Sequence, residues 1–144
     1  MKTPIPILAS LMDYQAWAAG EADFDMLDYA MCVGSPDVLV AFAELVDPEL
    51  VVHDGEYFLA HNFDLATYDR WMHELGDQMK VQRVINHLHV ASFMQHAEVP
   101  DEVAVFIAKT VAHLWSKTLR DKGLTAEYFG STLEDAQVTF FKDS

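Results

Sequence analysis

The chain has 144 residues, 51% of them hydrophobic, and nine Lys+Arg against 23 Asp+Glu give a net charge of −14. That length fits a single domain, 1–144, which buries roughly two-thirds of its unfolded surface and so holds a core without staples; the lone cysteine, Cys32, excludes an internal disulfide. The charge excludes nucleic-acid phosphate and anionic lipid as natural partners, and no stretch reaches the ~18 apolar residues of a membrane span.

The apolar start carries only Lys2 as a basic flank, is interrupted by Pro4 and Pro6 and ends at Asp13, a poor match to a signal peptide, so a cytoplasmic location is expected. Residues 8–18 and 23–32 read as two short helices, the second with Phe24, Leu27 and Met31 on one side and Asp25 and Asp28 turned away. The run from Glu21 to Asp28 resembles a calcium loop only briefly: it lacks the glycine at its sixth position and the closing Glu. Cys32, beside Met31 and Val33, reads as a buried thiol.

Ser35-Pro36-Asp37 is a helix start, with a capping serine and proline at the first helical position. The helix it opens, 38–46, is apolar at positions 38, 39, 42, 43, 45 and 46, and this predicts a place deep in the core. Pro48 breaks it. Leu50-Val51-Val52-His53 and Glu56-Tyr57-Phe58-Leu59 then flank Asp54-Gly55, the pairing that favours a type I′ hairpin. Both faces of that hairpin are partly apolar, which predicts that it is sandwiched.

Asp64 caps a helix over 65–75 that Gly76 stops, and Asp77 starts the next, with Val81, Val84, Ile85 and Leu88 at helical spacing. Pro100-Asp101 opens the longest helix, to about Lys122, with Gly123 as its end. The tail alternates, and with Leu124 to Phe129 it reads as two strands. The expected fold class is therefore α+β: helices packed around a small, largely antiparallel sheet built from the hairpin near 49–60 and C-terminal strands near 124–142.

Two features bear on function. Between Thr3 and Asp69 there is no Lys or Arg while thirteen acids fall there; from Arg70 onward ten acids meet eight bases. An acidic first half suits a basic protein partner, and Asp23, Asp25, Asp28, Asp54 and Glu56 are the candidate binding residues. The second feature is Asn86-His87-Leu88-His89. On a strand, His-x-His points both imidazoles to one side, as in metal-dependent hydrolases; on a helix, positions two apart diverge by roughly 200°. If the helix ends near 88, His87 and His89 regain a common side. Hydrogen-bonded structural histidines are the plainer reading, and no spacing for a structural metal site is present. Gly-x-Ser-x-Gly, Walker, Gly-x-Gly-x-x-Gly and His-Glu-x-x-His motifs are all missing, so no cofactor is expected.

The chain also resembles a family of uncharacterised bacterial proteins in Gly34-Ser35-Pro36-Asp37, in Asp47-Pro48-Glu49 leading to His53-Asp54-Gly55 and Phe58-Leu59-Ala60, in the segment from Val84 to Val90, and in Val138-Thr139-Phe140-Phe141. The resemblance implies bacterial origin and one shared fold, and brings no activity, cofactor or binding residue. The expected function is that of an interaction module that binds a basic partner, in one version as an immunity protein against a nuclease-type toxin. The competing reading is a small enzyme or metal-binding protein centred on Asn86, His87 and His89, and a homodimer stays open under both.

Overall fold

The computed structural model describes residues 7–19, 23–95 and 97–143. Glu21, part of the acidic run, and His96 lie outside the described residues. After a 3-10 turn at Leu8–Ser10, helices α1 (Met12–Trp17), α2 (Met26–Val33) and α3 (Pro36–Val46) lead to strands β1 (Leu50–His53) and β2 (Glu56–Leu59). Helices α4 (Leu65–Leu75) and α5 (Gln78–Ile85) follow, then the short β3 (Leu88–His89), the long α6 (Asp101–Thr118), β4 (Leu124–Phe129) and β5 (Gln137–Lys142).

Local chemistry sets most of these boundaries. Asp25, Ser35, Asp64 and Asp77 each accept a hydrogen bond from a backbone N–H of the first helical turn, which satisfies donors that have no partner inside the helix. Asp54 and Gly55 both have positive φ, 50° and 80°, as a type I′ turn requires. The hairpin register follows from it, pairing His53 with Glu56 and Val51 with Phe58.

The strands form two sheets rather than one. β1 and β2 pair only with each other, while β3, β5 and β4 make a second antiparallel sheet in that order. β5 is covered on both sides. Val138 and Phe140 join Trp115, Val111 and Leu119 of the α6 side in a core cluster, while Thr139 donates to the Arg83 carbonyl of α5 (2.7 Å) and Arg83 lies 3.6 Å over the Phe141 ring. Both faces of the hairpin are used as well: Phe58 packs with Tyr68, Val81 and Ile85 of α4 and α5, and Leu59 joins the α6 cluster. The hairpin is sandwiched as expected, with Val52 left 63% exposed.

Further expectations are corrected. Helix α6 ends at Thr118 rather than near Lys122, and Gly123 closes a separate 3-10 turn, Arg120–Lys122. Helix α5 stops at Ile85, and Leu88 belongs to β3, where it pairs with Val138. Cys32 is exposed rather than buried, because the end of α2 projects from the core. The largest departure is α3, whose residues 36–44 are all exposed, Val38 and Val40 at 66% and Phe42 at 46%. An apolar composition establishes that a helix needs cover, not that its own chain provides it. Among the described residues the side-chain hydrogen bonds that tie α3 to the body lie near its C-terminal end, where Trp115 donates its indole N–H to the Leu45 carbonyl (2.7 Å) and Thr118 its hydroxyl to the Val46 carbonyl (3.1 Å). Those carbonyls are among the last four of the helix, which have no acceptor role inside it.

Candidate functional site

Where α3 leaves the body, an open cleft of about 1180 Å³ separates it from α4, α5 and the segment around β3. Leu59, Ile85 and Trp115 form buried parts of its lining, and Trp71 and Phe93 add aromatic surface. Its charged lining residues are Glu44 on α3 and Glu49 just before β1; no Lys or Arg is among them. The polar remainder includes His61, Asn62, His87 and His89.

The histidines come together because of Asn86. Fully buried at the C-terminal end of α5, its side chain accepts from the Leu59 N–H (2.9 Å) and donates to the carbonyls of Tyr57 (3.1 Å) and Phe140 (3.3 Å). One residue thereby joins α5, the hairpin and β5. Asn62 braces the same turn from the cleft side, donating to the carbonyls of Ile85 (2.8 Å) and His87 (3.0 Å). With the helix ended, His87 and His89 regain strand-like alternation, and their Nε2 atoms stand 3.1 Å apart with the rings at 82°. The Nδ1 of His87 is turned back to the Val84 carbonyl. As its N–H donates there, Nε2 is left with a lone pair directed at His89. Among the described residues no group of three His, Cys, Asp or Glu is placed to hold a metal ion.

The acidic candidates fall on separate elements. Asp25 caps α2 and Asp28 closes the capping box by accepting from the Asp25 N–H (2.8 Å), while Asp23 is exposed just before them. Asp54 occupies the hairpin turn, where it accepts from the Tyr68 hydroxyl (3.1 Å) and lies 3.5 Å from His53. Burial first, and then that carboxylate, hold the Tyr68 phenol above its ordinary pKa. Glu56 is half-buried and faces Lys142 at 3.7 Å. All but Asp23 therefore have local structural work. Glu44 and Glu49, the acids that line the cleft, were not singled out by sequence, because nothing local distinguishes them from the other eleven acids of the first half. Gln82 also escaped notice, because its amide serves a partner 25 residues away, the Tyr57 carbonyl; His61 and Asn62, legible as polar groups after the hairpin, do line the cleft.

No protein-family model, curated protein or solved structure matches the chain. No helix among the described residues is long and apolar enough to cross a membrane.

Proposed function

We propose that the chain is a bacterial protein-interaction domain whose cleft and projecting α3 receive a basic, amphipathic segment of a partner protein. The observation that carries this reading is the pairing of an uncovered apolar helix with an adjoining cleft lined by aromatic and carboxylate groups and by no Lys or Arg. Apolar surface supplies the driving force for such a contact, and Glu44 and Glu49 select the sign of the charges that border it. The net charge of −14 extends the same preference to the approach of the partner. Immunity against a basic toxin is one version of this role.

The test uses two synthetic helical peptides of equal length, one Leu/Lys and one Leu/Glu, titrated against the full chain. The Leu/Lys peptide should bind at least tenfold tighter; Phe42→Asp should weaken its binding at least tenfold, and Glu44→Lys with Glu49→Lys should remove the margin over the Leu/Glu peptide. Equal binding of both peptides would overturn the reading. So would sedimentation showing that a second copy already occupies α3, in a dimer that Phe42→Asp dissociates.

A further inference from the structure

We propose that His87 and His89 form a binding site for a borderline divalent transition-metal ion, opening into the cleft. The proposal stands apart from the peptide-binding reading, since it uses neither α3 nor the carboxylates.

Three observations support it. The first is distance. Two imidazole nitrogens each about 2.0–2.1 Å from one metal stand roughly 2.9–3.4 Å apart for angles between square-planar and tetrahedral; the two Nε2 atoms are separated by 3.1 Å. The second is orientation. A metal-binding histidine almost always gives its other ring N–H to a carbonyl or carboxylate, which fixes the tautomer and aims the lone pair. His87 has that arrangement, with Nδ1 on the Val84 carbonyl and Nε2 facing His89.

The third is support from behind. The backbone that presents both rings is held by the buried Asn86, by the two hydrogen bonds of Asn62 and by the pairing of His89 with Gln137 of β5, and the His87 ring is fixed by the Val84 carbonyl. His87 is half-buried and His89 exposed on the cleft, which gives an ion an entry path. No third His, Cys, Asp or Glu of the described residues completes the set. The remaining coordination positions therefore belong to water or to a donor atom of a molecule entering the cleft. A site with two fixed nitrogens and open positions follows the ordinary preference for nitrogen ligands, Cu²⁺ above Ni²⁺ and Zn²⁺, and does not suit Mg²⁺ or Ca²⁺.

The competing arrangement is a closed hydrogen bond, in which His89 Nε2–H donates to His87 Nε2 and no ion enters. Calorimetric titration of the tag-free full chain with CuCl2, NiCl2, ZnCl2 and MgCl2 separates the two. One equivalent of Cu²⁺ should bind, with Ni²⁺ and Zn²⁺ weaker and Mg²⁺ not detected, and the Cu²⁺ electron paramagnetic resonance spectrum should show coupling to two imidazole nitrogens. His89→Ala, a change at an exposed position, should weaken binding at least tenfold, as should His87→Ala, while His113→Ala on the exposed side of α6 should leave it within twofold. Should His87→Ala fail to fold, His89→Ala and the spectrum still decide. Cu²⁺ binding weaker than about 1 mM would overturn the site, and so would binding that survives His89→Ala or a spectrum without two nitrogens.

Discussion

Asn86 is the residue on which the interior most depends, and its case shows how a polar side chain can organise a core. Burial of an amide is costly unless its donors and acceptor find partners, and here it has three, on the hairpin and on β5. Asn86→Ala would leave the buried Leu59 N–H without its acceptor, and the Phe140 carbonyl without this donor. The expected loss is about 1–3 kcal/mol for each group left unpaired, measured as a lower denaturant midpoint with an unchanged slope. Tyr57 is less affected, because its carbonyl also accepts from Gln82 (3.1 Å). A variant as stable as the parent would show that water replaces the amide at no cost and that Asn86 does not hold the three elements together.

At the scale of elements, α6 and α3 are opposites. Trp115 is fully buried, stacks edge-on against Phe140 at 5.4 Å and donates to the Leu45 carbonyl; Trp115→Ala should cost about 3–5 kcal/mol. Val38→Ser and Val40→Ser, on the exposed length of α3, should each stay within about ±0.5 kcal/mol in the isolated chain. Urea denaturation of the three variants checks both claims, and a loss above 1 kcal/mol for either valine would mean that α3 is covered in solution. The contrast also explains what was legible from sequence. Helix starts at Ser35, Asp64 and Asp77, the stop at Gly76, and the turn at Asp54-Gly55 depend on residues a few positions apart, and all lie where local chemistry places them. The pairing of Leu88 with Val138 and the exposure of α3 depend on segments far away in the chain, and hydrophobic periodicity carries no information about which partner a face meets. The His87–His89 side was legible only conditionally, because it turns on a helix end at Ile85 that the tertiary partners of Asn86 impose.

For the whole molecule, the excess of carboxylates opposes the compact state in one pH range and supports it in another. Thirteen acids without a base between Thr3 and Asp69 repel one another at neutral pH. Lys142 reaches across from the tail to Glu56, at 3.7 Å, a single long pair that does not offset that. Raising NaCl shortens the screening length from about 30 Å at 0.01 M to about 10 Å at 0.1 M, so repulsion between separated acids should fade while the core is untouched. Asp64, Asp135 and Glu102 work in the opposite direction: hydrogen bonds from Thr67, Thr132 and Ser10 respectively hold their carboxyls below the ordinary range. A carboxyl depressed on folding contributes stability above its unfolded pKa, near 4, and loses it as pH falls through the folded value. Salt should therefore raise the melting temperature at pH 7 by about 2–6 °C between 10 and 300 mM NaCl, whereas acidification below pH ~4 should lower it. Melting curves across both series test the balance. A melting temperature that falls with NaCl at pH 7 would mean that attractive pairs, not repulsion among the acids of the first half, dominate the surface.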